Sequence, residues 1–184
     1  MDEDLKLVNE VLNGNIDSFN ILVNKYELVI LRFIYNMLKD KEAAEDITQE
    51  VFITVYNKLY TYKDQYKFSN WLYQIARNKC IDYIRKYKRV YEANMEDVRD
   101  VASRDISPEQ SAEYKETKKL VESFIKDLND IDKQIIILRY SGSCVTFTDI
   151  AEILNMSEAA VKRRYYKTRD KFKEFSLIRE KGCR

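Results

Sequence analysis

The chain contains no histidine. The commonest general base and the commonest metal ligand are therefore missing, and no Cys-x-x-Cys pair is present to build a zinc site instead. A glycine-rich phosphate loop is absent too. Paired acids such as Glu45 and Asp46 carry nothing that separates them from ordinary surface carboxylates. The expectation is a protein without catalytic residues, metal, cofactor or small-molecule substrate. Glycine (3) and proline (1) are scarce over 184 residues, so tight turns are few. With Leu, Ile, Lys, Glu and Asp dominant, the composition predicts an all-α fold. Cys80, Cys144 and Cys183 are too few and too widely spaced for a disulfide framework, and fit a reducing cytoplasm. The opening MDEDLKLVNE is acidic where a signal peptide would be basic and then apolar. The most apolar run, LVILRFIYNML (28–38), is broken by Arg32 and Asn36 and is too short for a bilayer. A soluble, cytoplasmic protein is expected.

Apolar residues recur at three- and four-residue steps in several blocks. In 17–38 the stripe is Phe19, Leu22, Val23, Tyr26, Ile30, Phe33, Ile34 and Met37. Asp40 is placed to cap a helix over 41–60, with Ala44, Ile47, Val51, Val55, Tyr56 and Leu59 on one side. TYKDQYKFS (61–69) has no stripe and reads as a loop. NWLYQIARNKCIDYIRK (70–86) is helical again, with Trp71, Leu72, Ile75, Ala76, Ile81 and Ile84 toward a core. Residues 90–107 lose all periodicity and read as a linker. Ser107-Pro108-Glu109-Gln110 is a helix start with a capping-box glutamine, and helices are expected over 109–128 and 131–140. Beyond them, Thr146 and Asp149 open a short helix, FTDIAEILN. Asn155 can take the left-handed conformation at its end, and Ser157 caps a longer helix to about 176. Ile150, Ala151, Leu154, Met156, Val161 and Tyr165 would meet across the bend. A short helix, a three-residue turn and a longer basic helix is the helix-turn-helix pattern.

Net charge is only +1, with an isoelectric point near 7.6. No global excess advertises a polyanionic partner. The near-neutrality is a cancellation between zones. Residues 157–175 hold seven bases against three acids, and 75–89 hold six bases against Asp82 alone. Residues 92–113 hold seven acids against two bases. Two basic helices on two modules fit electrostatic footprints on a phosphate backbone.

The order NGNIDSFNILVNKYE, AAEDITQEVFITVY, FSNWLYQIARNKCIDYIRK and FTDIAEILNMSEAAVKRRYYKTRDKF resembles the bacterial sigma factors, specifically the two-domain extracytoplasmic-function (ECF) group. The resemblance spans almost the whole chain. It implies two small helical domains joined by a flexible acidic linker, the second containing the helix-turn-helix. Domain 2 would occupy 1–89, the linker 90–107 and domain 4 108–184. Domain 2 would dock on core RNA polymerase through Asp46, Gln49 and Glu50. It would also capture and melt the minus-ten element of promoter DNA, with Asn78 reading it. Beside Asn78, Lys63, Lys67, Arg77 and Lys79 offer charge for phosphates, and Tyr66 and Phe68 offer faces either for unstacked bases or for packing. Domain 4 would read the minus-thirty-five element as duplex. The resemblance places Lys162, Arg163, Tyr166 and Lys167 against it, and Arg164 and the cap Ser157 join them. Val161, Tyr165, Thr168 and Phe172 share the inward face. An anti-sigma factor, often membrane-anchored in such families, is an implied partner. Ala160, Arg163 and Tyr165 depart from the residues usual in the family, so the exact bases read do not carry over. Two other readings of the basic helices are a stand-alone helix-turn-helix regulator, for which no dimerising heptad seam is visible, and an adaptor that binds only protein.

Overall fold

In the computed structural model, residues 3–93, 120–141 and 145–182 are described, with side chains described through 87 and 177 at the ends of the two long helices. Of the expected linker, 90–93 continue α4 as helix and 94–107 lie outside the described residues, as do the Ser107–Gln110 helix start, Cys144, Cys183 and the side chains of Lys88 and Arg89. The elements are α1 (Glu3–Leu12), α2 (Ile16–Leu38), α3 (Lys41–Lys58), a 3₁₀ turn (Leu59–Thr61), α4 (Phe68–Ala93), α5 (described over 120–126), α6 (Asp130–Tyr140), α7 (Phe147–Leu154) and α8 (Glu158–Gly182). No strand occurs among the described residues.

The punctuation is local. Asn15 caps α2 by accepting from the Asp17 N–H at 3.1 Å, and Lys39 closes it in the left-handed conformation at φ 59°. Asp40 then caps α3 through the Ala43 N–H at 3.1 Å. Leu22, Ile30, Phe33 and Ile34 of α2 pack with Ala44, Ile47, Val51 and Val55 of α3, all buried. Tyr56, expected in that stripe, is 46% exposed, and only its edge meets Phe19, with ring centroids 5.0 Å apart. Helix α1 is not among the expected helices, although Leu5, Leu7, Val8, Val11 and Leu12 stand within its ten residues. It is held by buried Leu7 and Val8 and by the Asp4 carboxylate, which accepts from the Lys25 ammonium at 2.6 Å and the Tyr26 hydroxyl at 2.5 Å.

Helix α4 differs most from expectation. It begins at Phe68 rather than 70 and continues to Ala93, because Phe68 is a core residue whose ring meets Tyr26, Tyr62 and Trp71 at 5.7–6.0 Å. Phe68, Leu72 and Ala76 face α2 and α3, while Asn70, Gln74 and Arg77 stand on the opposite side and bond to α6 and α7. The helix-turn-helix forms as the spacing predicts. Thr146 and Asp149 make a reciprocal capping box, Asn155 sits at φ 52°, and Ser157 accepts from the Ala160 N–H at 3.3 Å. Ile150, Ala151, Leu154 and Val161 are buried beneath the turn, with Met156 and Tyr165 against them. The two modules share one continuous apolar cluster.

Candidate nucleic-acid interface

The outer face of α8 carries Lys162, Arg163, Tyr166 and Lys167, all exposed. The inward face holds Val161 and Thr168 buried and Tyr165 and Phe172 half-buried, so the adjacent tyrosines split between core and solvent. Tyr166 is stiffened from both sides: the Arg169 guanidinium lies 4.9 Å over its ring, and the Tyr165 ring meets it edge-on at 5.4 Å. Arg163 and Lys167 have no ion pair among the described residues. Lys162 is tied to Glu158 at 2.6 Å. Arg164 does not share this face. Its guanidinium turns back to α6 and meets Asp132 at 2.9 Å, a carboxylate only 14% exposed. One helical step of 100° from Arg163 is enough to carry it off the outer surface.

The second basic face lies on α4 and the loop before it. Lys63 and Asn78 are exposed, and Tyr66 is 49% exposed. The Tyr62 hydroxyl donates to the Tyr66 carbonyl at 2.5 Å and pins the loop. Phe68 is 1% exposed, so packing rather than base contact is its place. Lys79 is half-buried and bonds Glu50 of α3 at 2.9 Å. Asp46, Gln49 and Glu50 are exposed along one side of α3, with Ile53, itself 62% exposed, one turn further on.

Lys67 and Arg77 take part in contacts that sequence reasoning missed. Asn70, 3% exposed, donates to Asp149 at 3.0 Å and to Glu152 at 2.6 Å. Lys67 reaches the same Asp149 oxygen at 2.8 Å, and Gln74 donates to the Glu152 carbonyl at 2.9 Å. The Arg77 Nε donates to Gln134 at 2.5 Å. Burial works against the charge on Asp149. The Lys67 ammonium, the Thr146 hydroxyl and N–H, and the Asn70 amide outweigh it and hold the carboxyl down at about 2. Burial, and then the charge of Arg85, lowers Arg77. The one available signal was spacing: Asn70, Gln74 and Arg77 at i, i+4 and i+7 make a polar stripe opposite the apolar one. Between the modules lies a cleft of about 800 Å³, lined by Lys63, Tyr66 and Asn78 on one wall and by Thr148, Asn155 and Glu158 on the other. Cys80 is fully buried and its thiol is pushed up to about 12 by desolvation, so it stays unreactive at neutral pH.

A helix-turn-helix with a cationic outer face, joined to a helical module with a second basic face, defines a two-module nucleic-acid-binding protein. Residues 22–90 match Sigma-70 region 2 and residues 124–174 match Sigma-70 region 4. The ECF RNA polymerase sigma factor SigW of Bacillus subtilis is 32% identical over 173 residues, covering 90% of this chain and 92% of SigW. Among solved structures, CnrH in complex with the cytosolic domain of CnrY superposes with a TM-score of 0.71 at 20% identity, over 96% of this chain and 99% of CnrH. RpoE bound to the anti-sigma factor NepR from Bartonella quintana gives 0.66 at 21% identity, over 85% and 97%. These two likenesses speak to the fold. The chain belongs to the ECF sigma factors, the alternative promoter-specificity subunits of RNA polymerase.

Proposed function

We propose that 1–89 act as domain 2, 90–107 as the tether and 108–184 as domain 4, each module reading its own promoter element. Lys162, Arg163, Tyr166 and Lys167 enter the major groove of the minus-thirty-five duplex, with Ser157 fixing the start of the helix that carries them. Lys63, Tyr66 and Asn78 receive the minus-ten element, Asn78 by base contact and Tyr66 by stacking. Asp46, Gln49 and Glu50 dock on core polymerase. The chain itself catalyses nothing. It supplies binding energy that favours the open promoter, and it works in the cytoplasm. The reading rests above all on the outer face of α8, where four exposed side chains sit on one helix directly after a formed helix-turn-helix.

The docked arrangement bears on regulation. Proposed minus-ten residues and the start of α8 line the same cleft, whereas promoter elements two helical turns apart lie roughly 70 Å from one another. The modules therefore part before both elements are read. With 90–93 continuing α4, the fourteen residues 94–107 extend at most about 50 Å, and the breadth of the modules supplies the remainder. Arg77 and Lys67 are then released from Gln134 and Asp149 and become available to phosphates. An anti-sigma factor that favours the docked state would silence the chain, and the fold shared with RpoE bound to NepR supports looking for one. Reconstituted transcription with core polymerase is the test. Promoter-specific initiation that depends on added chain is expected, and none at all ends the reading. Asn78→Ala should leave duplex binding intact and reduce permanganate reactivity of the melted minus-ten thymines.

A further inference from the structure

The first residue of α8 is an acid on a helix whose exposed surface is mostly cationic, the acid at Asp170 being paired with its neighbour Arg169. Facing a phosphate backbone, a carboxylate costs affinity, and helix-terminus stabilisation is available to it without any further arrangement. Glu158 has a further arrangement. One carboxylate oxygen meets the Lys162 ammonium at 2.6 Å and the other accepts from the Thr148 hydroxyl at 2.9 Å. The ammonium is steadied in turn by the Phe147 ring, 6.0 Å below it. Both partners stay accessible, with side chains 41% and 48% exposed. The Lys162 bond holds the Glu158 carboxyl below its ordinary range and the same bond raises Lys162, so both are charged at neutral pH. An acceptor and a donor are thus fixed side by side, one helical turn apart, at the end of the recognition helix that meets base edges.

We propose that Glu158 and Lys162 form a paired reader of one C·G base pair in the upstream duplex, Glu158 accepting from the cytosine amino group and Lys162 donating to the guanine. The inference rests on the minus-thirty-five role of α8 given above. In the major groove a C·G pair presents, in order, the cytosine N4 donor and the guanine O6 and N7 acceptors. Glu158 matches the first and Lys162, with three N–H groups, matches the other two. An A·T pair sets its amino donor between the adenine N7 and thymine O4 acceptors, with the methyl beyond O4. Two adjacent acceptors therefore never follow the donor, and Lys162 loses one of the two partners that a guanine gives it. Because Thr148 and Phe147 already hold the two side chains, little ordering remains to be done on binding. Glu158 becomes the residue that turns a general phosphate-seeking surface into a selective one.

The test uses the full chain with core polymerase on promoters randomised across the upstream element, sequencing those that initiate. The wild-type chain should favour C at one position by at least about fivefold. Glu158→Gln keeps the shape and the Thr148 bond but gains an amide donor, so preference there should move toward A, the base a glutamine pairs with. Glu158→Ala should reduce preference at that position to under about twofold and leave the others unchanged. A role confined to capping predicts instead an equal loss on every promoter with an unaltered base profile, and that result overturns the paired reader. Wild-type initiation that ignores the upstream element altogether sinks the functional reading, and the pair falls with it.

Discussion

At the scale of single residues, burial separates functional from structural side chains that look alike in sequence. Phe68 and Tyr66 are two residues apart, both aromatic and both beside lysines. Phe68 lies in the core and Tyr66 in solvent. Phe68→Ala should cost about 3–5 kcal/mol of stability, read as a shift in the urea midpoint, before any effect on promoter opening is seen. Arg163 and Arg164 split in the same way. Arg163→Ala should weaken minus-thirty-five binding and lower the slope of log affinity against log salt by about one. Arg164→Ala removes the contact to Asp132 instead, so it should cost about 1 kcal/mol or less in thermal unfolding while the salt slope holds.

At the scale of elements, the helix-turn-helix depends on a few conformational fixtures. Asn155 is held at φ 52°, where a side chain branched at Cβ is penalised, and the Thr146 hydroxyl caps the Asp149 N–H at 3.1 Å. Asn155→Val should destabilise the module by about 1–2 kcal/mol, and Thr146→Ala by about 1 kcal/mol. Both are measurable by thermal melts of the full chain. Their effect on promoter choice should follow the loss of fold, because neither side chain lies on the outer face of α8. These fixtures were legible beforehand: Thr-x-x-Asp before an apolar helix and Asn at its end are local signals that need no knowledge of distant residues.

At the scale of the whole molecule, the decisive feature is the docking of α4 on α6 and α7. Asn70 donates to two carboxylates inside this contact, and Asp149 receives Lys67 in the same place. The lowering of Asp149 by Lys67 and Asn70 favours the docked form, and that by Thr146 favours the capped helix itself. Both contributions are present above the ordinary value near 3.8 and fade as pH falls toward about 2. Small-angle scattering of the isolated chain should therefore report a compact particle at neutral pH and an expanded one as pH drops through that window. Asn70→Ala leaves both carboxylates short of a donor and should enlarge the particle already at neutral pH. An unchanged radius in that variant would mean that the apolar contacts alone hold the modules together.

The sequence by itself determined α2, α3, α6, α7 and α8, the caps at Asp40, Thr146 and Ser157, the turn of the helix-turn-helix and the assignment of Tyr165 inward and Tyr166 outward. Each depends on residues within a few positions of one another, and helical period and capping chemistry act at that range. Only the tertiary structure decided that Phe68 is core, that Arg164 turns to Asp132, that Lys79 and Glu50 neutralise each other, and that Asn70, Lys67 and Arg77 face the second module. Those outcomes join residues from 29 to 82 positions apart, and no local pattern names the partner across such a separation. A lysine free for phosphate and a lysine already paired are the same letter. The difference lies in which helix folds back to meet it.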